Sequence, residues 1–173
     1  MNHAEGNELE FCFGCGASFA KIDGPTHRYI GASPGCGSIF GEVLAKECEI
    51  YGYPPIPHLT VDAYAAQHPG KPSNQSIKSV AIHLISLHLM PDHHYEAKQV
   101  TKIMSRAAQV SQKFIWMEPP GSPGELTLLD VYRAKNLNEH TNLVQIWAHS
   151  VWQSWQPHHQ QVRNWTECQI KNL

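Results

Sequence analysis

The sequence has no block of basic residues. Its 173 residues hold 13 Lys and Arg against 15 Asp and Glu, a formal charge of −2. A protein that grips nucleic acid needs a basic face to displace counterions from phosphate, so that class of partner is not expected. Long apolar runs are missing too. The most apolar stretch, from Ile77 to Met90, is broken by Lys78, His83, Ser86 and His88. It falls short of the roughly 20 apolar residues that cross a bilayer, so no transmembrane helix and no membrane partner are expected. The opening "MNHAEGNELE" is polar and acidic, whereas a secretory signal begins basic and turns apolar, which points to the cytoplasm. Five cysteines, an odd number without an export signal, argue against a disulfide framework and for reduced thiols or metal ligands. There is no H-E-x-x-H, no internal repeat and no low-complexity tract. The zinc-protease pattern is thereby removed.

What is present is an excess of histidine (12 residues), five tryptophans, and a distinctive cysteine pair in "FCFGCGASF". Cys12 and Cys15 are spaced so that both thiolates can face one ion, with Gly14 and Gly16 letting backbone N–H groups turn toward sulfur. A redox Cys-x-x-Cys opens a helix after an apolar strand within alternating strands and helices, and no such alternation is visible. The metal reading therefore precedes redox chemistry, with inert packing behind both. Tetrahedral closure needs two more ligands. The nearest in sequence are His27 and Cys36, with His58 and His68 further on. Cys36 lies in "SPGCG", a turn just before a helix, and is either a third ligand or a reactive thiol. Cys48 and Cys168 read as small buried hydrophobes. His68 precedes the Pro69-Gly70 stop and reads either as a helix-capping histidine or as the ligand that ties the loop to the rest. The set adopted is Cys12, Cys15, Cys36 and His68, holding one zinc per chain, with His27, His83, His158 and His159 as alternatives.

The hydrophobic pattern predicts a mainly α protein, an irregular bundle of five or six helices with an N-terminal cysteine-rich, zinc-pinned loop lying against it. One domain spans 1–173, divided into a loose tail (1–10), a metal-binding loop (11–37) and the bundle (38–173). Apolar positions Ile39, Phe40, Val43 and Leu44 with Glu47 predict a helix from about Ser38 to Ile50, stopped by Gly52 and the prolines at 54, 55 and 57. Thr60 is the expected N-cap of a short helix through Gln67, and Ser73 that of a helix ending at Pro91. An amphipathic helix is expected over 95–113, with Val100, Ile103, Met104, Ala107 and Val110 inward. Short extended pieces are expected at 114–117 and 126–129. Helices from about Asn138 to Trp155 and from Pro157 complete the chain. His83, in the middle of a helix among apolar residues, reads best as a satisfied core histidine. His83 and His88 are five apart and cannot share an ion as an i, i+4 pair would. One of His158 and His159 should point inward, and the tryptophans read as core.

The stretches "CFGCGA", "GPTHRYIGASPGCG", "LTVDAYAAQHPGKPSNQSI", "SVAIHL", "WMEPP" and "WQPHHQQVRNW" resemble those of a family of uncharacterised bacterial proteins, a domain of unknown function. The resemblance implies that Cys12, Cys15, Cys36, His68, His83 and the His158-His159 pair lie in recurring motifs, and it implies no reaction. Gly37 stands where the family pattern carries an aromatic residue, which implies different packing there. The leading expectation is a zinc-binding helical protein with a structural metal. Its unidentified partner is a protein or a small molecule. The alternative is a metal-dependent enzyme, a hydrolase or thiol transferase similar to DinB-like helical bundles, with His68, His83 and His158 or His159 around an open metal position. A reversible Cys12–Cys15 disulfide is the third.

Overall fold

In the computed structural model the described residues are 8–52, 57–93, 95–109 and 113–171. The chain is mainly helical, as its hydrophobic periodicity requires. A short antiparallel hairpin, β1 (Leu9–Phe11) and β2 (Ser18–Ala20), pairs Leu9 with Ala20 and Phe11 with Ser18. Helices follow at α1 (Pro34–Glu49), α2 (Pro57–Gln67), α3 (Asn74–His93), α4 (Ala97–Gln109), α5 (Leu128–Tyr132), α6 (Leu137–Ser154) and α7 (His159–Ile170). The described residues thus carry seven α-helices where periodicity predicts five or six; the extra one is α5, a single turn too short to show a stripe. No helix among the described residues is long and apolar enough to cross a membrane.

Capping chemistry sets several of these boundaries. "SPGCG" is a helix start rather than a turn ahead of one. Ser33 accepts the Cys36 N–H on its hydroxyl and the Gly37 N–H on its carbonyl, while Pro34 takes the first helical position, where its missing N–H costs nothing. Cys36 therefore sits inside the first turn of α1. Ser73 caps α3 as its sequence predicts, accepting the Ser76 N–H at 3.1 Å, although α3 runs past Pro91 to His93. Thr60 is not a cap; it lies within α2 and is buried. Thr127 and Asp130 form a reciprocal capping box on α5, and Asn136 caps α6 through the Glu139 N–H. Residues 114–117 have no strand partner among the described residues, and Leu128 and Leu129 are helical rather than extended. Pro57 lies inside α2 rather than among the prolines that stop α1, while residues 1–7, the prolines at 54 and 55, and Val110 lie outside the described residues.

The core is built around α2, whose alanines at 63, 65 and 66 are buried and let α3 and α6 approach closely. Trp147, Trp152 and Trp155 are almost fully buried on or beside α6. Their indole N–H groups need acceptors: Trp147 donates to Gln67 and Trp155 to the Ala66 carbonyl. The Gln67 amide in turn donates to the carbonyls of Pro123 and Leu126, tying the irregular 113–127 segment to the core.

Beneath this lies a buried polar group that the stripe of α1 hints at, because Glu47 occupies one of its inward positions. Its Oε1 accepts the Thr60 hydroxyl at 2.6 Å and the His140 Nε2–H at 2.7 Å, and all three residues are at most 1% exposed. Removing one partner from a buried bonded carboxylate costs more than the pair contributes. His140→Leu should lower stability in urea unfolding by about 3 kcal/mol. The double variant Glu47→Leu, His140→Leu should recover most of that loss, whereas equal losses in both would show that packing alone is at stake.

Candidate metal centre

The hairpin positions the first two sulfurs. Between its strands the chain folds back through the Cys12 N–H to Ala17 carbonyl bond and the Gly16 N–H to Cys12 carbonyl bond, each 2.8 Å, turning Cys12 and Cys15 to the same side. Both are buried, although Phe11 and Phe13 beside them are largely exposed. Three-residue strands cannot hold such a loop inward unaided. Cys36 arrives from the first turn of α1 and is completely buried. His68 follows the end of α2, also completely buried.

These four side chains converge. One ligand atom from each of Cys12, Cys15, Cys36 and His68 can be chosen so that all lie within 4.8 Å of one another. Cys36 Sγ stands 3.5 Å from His68 Nε2. Metal bonds of about 2.3 Å to sulfur and 2.0 Å to nitrogen, set at the tetrahedral angle, separate the two ligand atoms by about 3.5 Å.

The state of His68 is decided by its other nitrogen. Nδ1 lies 2.7 Å from the Tyr64 carbonyl oxygen, which can only accept, so Nδ1 carries the proton and Nε2 presents its lone pair to the sulfurs. Ser33 donates its N–H to Cys12 Sγ at 3.4 Å, a bond that favours thiolate. The three sulfurs cannot all ionise beside one another without a cation. Hydrogen bonding from Cys15, and then from Cys36, lowers the Cys12 thiol well below its ordinary value. The same bond to Cys12 pushes Cys15 up to about 12, and bonds to Cys12 and Cys15 push Cys36 upward. Burial, above all, raises Tyr64, whose ring tilts against His68 at 4.3 Å and stacks on Phe40 at 3.8 Å.

Two close approaches hold the ring in place. A Cβ on Gly14 would come within 2.3 Å of His68 Cδ2 and 2.4 Å of the Gly31 carbonyl. Where the chain crosses itself at Gly31 and Gly70, a Cβ on either would meet backbone of the other strand inside 3 Å, and Gly31 donates its N–H to the His68 carbonyl. The roles of Gly14 and Ser33 are missed by spacing arguments, though the glycine of C-x-G-C is a visible signal for the first.

The other candidate histidines stand apart from this group. Exposed His27 accepts the Ile30 N–H on Nδ1 at 3.2 Å and shapes a local turn, and His58 is exposed. His83 bonds Asp62. His158 donates Nε2–H to the Glu118 carbonyl; buried His159 donates to the Trp152 carbonyl while stacking on that indole at 3.7 Å. Among the described residues no ligand group joins any of these to His68. Cys48 is half-buried and Cys168 is exposed, so neither fits the expected buried hydrophobe.

Fold and site together define a mainly helical protein with a buried group of three cysteines and one histidine that can hold a metal ion. Residues 10–156 match the Family of unknown function (DUF5946), and the chain belongs to that family. No curated protein and no solved structure matches it.

The tight seat of Gly14 gives a direct test. Gly14→Ala must displace either the imidazole or the backbone at Gly31, and should cost about 2 kcal/mol in urea unfolding of the reduced protein. A loss below about 0.5 kcal/mol would mean that the two segments are not held as closely as described.

Proposed function

We propose that the protein is a zinc-binding helical protein in which one ion per chain, held by Cys12, Cys15, Cys36 and His68, has a structural role. The observation that carries this reading is the convergence of four buried donors with His68 Nε2 left proton-free toward the sulfurs. Three thiolates and an imidazole suit zinc in tetrahedral coordination, and a four-ligand site leaves no open position to activate water. Its contribution is folding free energy. The ion would fasten the hairpin to α1 and α2 and hold both ends of the 21–33 segment. Such thiolates persist in a reducing compartment, which supports a cytoplasmic setting. The partner we propose is a protein or small molecule met by the surface this segment builds.

Elemental analysis of untagged protein, purified without added metal, should give one zinc per chain. The ion should be lost in Cys15→Ser and His68→Ala and retained in His83→Gln. Retention of zinc in both of the first two variants would overturn the assignment. Chelation of the parent should lower Tm and remove amide-exchange protection from residues 8–36 before α6 and α7 are affected. Uniform loss of protection, or none, would argue against a local structural role.

A further inference from the structure

His83, like His68, is bonded through Nδ1 to an oxygen acceptor, which leaves Nε2 as a lone pair. It stands on α3 beside the buried Leu84 and Ile85, yet 19% of its side chain is exposed, because one edge opens on a cleft of about 740 Å³. The cleft is walled by the segment from Ile22 to Pro34, the start of α1, and faces of α2 and α3. The inner edge of the ring meets a carboxylate. Nδ1 lies 2.6 Å from Asp62 Oδ1; the side chain of Asp62 is 2% exposed and its other oxygen accepts the Ser86 hydroxyl at 2.5 Å. A carboxylate so placed makes Nδ1 the protonated nitrogen. Nε2 then carries the lone pair, and no protein partner for it exists among the described residues. A histidine serving only the core would be enclosed on both edges.

We propose that Asp62 and His83 form a general-base dyad acting on small uncharged carboxylic esters bound in this cleft. The lining selects the substrate class. Tyr29, Ile30, Phe40 and Val61 offer apolar and aromatic surface, and among the described residues the cleft lining contains no lysine or arginine to receive a phosphate or carboxylate. The volume lies within the range of small-molecule sites. In the first step His83 Nε2 takes a proton from water as the water oxygen bonds to the ester carbonyl carbon. In the second the carbon–alkoxy bond breaks and His83 returns the proton to the departing alkoxide, giving acid and alcohol with water as sole co-reactant. Asp62 touches no reacting atom. It is a positioning residue that fixes the tautomer and stabilises the imidazolium between the steps. The N-terminal end of α1 opens on the same cleft through Gly37 and Ser38, and its dipole favours the negative charge growing on the carbonyl oxygen. An unactivated amide makes a poorer substrate for such a site, because its leaving group demands more than a returned proton from one imidazole.

The test is hydrolysis of p-nitrophenyl butyrate by the zinc-loaded full chain, compared with free imidazole at the concentration of all its histidines. The protein should exceed that background. His83→Gln should lower kcat/KM by about 100-fold or more with zinc content and far-UV circular dichroism unchanged, while exposed His149→Gln should leave it unchanged. Asp62→Asn should lower kcat with little change in KM, and long-range ¹⁵N spectra should show the His83 tautomer, Nδ1–H in the parent, mixed or reversed. Activity no higher than free imidazole, or a His83→Gln protein as active as the parent, would overturn the proposal. So would a parent His83 protonated on Nε2 alone, an observation that holds even if Asp62→Asn fails to fold. Zinc retained in an inactive parent would locate the failure in the dyad and not in the metal reading.

Discussion

One hydrogen bond decides what the N-terminal third of this protein can be: His68 Nδ1–H to the carbonyl of Tyr64, four residues earlier. At a helix end the last carbonyls lose their helical donors. Here the His68 backbone N–H turns to Ala65, and the Tyr64 carbonyl takes the ring instead. The histidine therefore caps α2 through its side chain, and by doing so aims its free nitrogen out of the helix toward three sulfurs. A capping role and a ligating role are alternatives only when position along the chain is the sole information. In three dimensions the first permits the second.

The close glycine contacts follow from that aim. The imidazole can approach Cys36 only because nothing projects from Gly14, and α2 can leave toward Pro69 and Gly70 only because Gly31 crosses beneath it. The hairpin's three-residue strands carry one buried side chain, Phe19, and a surface pair joins Lys21 to Glu8 beside them, with little to stabilise the hairpin apart from its tip. Its order has to come from the residues at its tip. The same tip, with Cys36, brackets the 21–33 segment that walls the large cleft, so the packing of the three cysteines also bears on the shape of the space in front of His83.

Composition and spacing reach part of this. The helical class follows from apolar periodicity, and Cys12, Cys15, Cys36 and His68 can be nominated because a C-x-x-C in a glycine-rich segment needs further ligands nearby. The hairpin escapes, since "LEF" and "SFA" are too short to display alternation. The start of α1 is misplaced because Ser-Pro-Gly signals a turn as strongly as it signals a capped helix. Asp62 and His83 are 21 residues apart on different helices, and Glu47 and His140 are 93 apart. Nothing local joins either pair. Only Glu47, a carboxylate on an apolar stripe, leaves a trace of its buried partner.

The histidines divide by which nitrogen the protein occupies. His158 and His159 give Nε2–H to carbonyls, and that nitrogen is thereby committed to structure. His140 gives Nε2–H to Glu47 and is sealed in the core with Nδ1 unpaired among the described residues. His68 and His83 are held instead at Nδ1, by a carbonyl and by a carboxylate. Each keeps Nε2 as an outward lone pair, and the surroundings give it different chemistry. Facing buried sulfur, a neutral imidazole fixed by a neutral carbonyl can complete a ligand set. Facing an open cleft, the His83 imidazole has the buried Asp62 carboxylate behind it and its other edge toward the space in front. The same side chain, turned the same way around, faces three buried sulfurs in one place and an open cleft in the other.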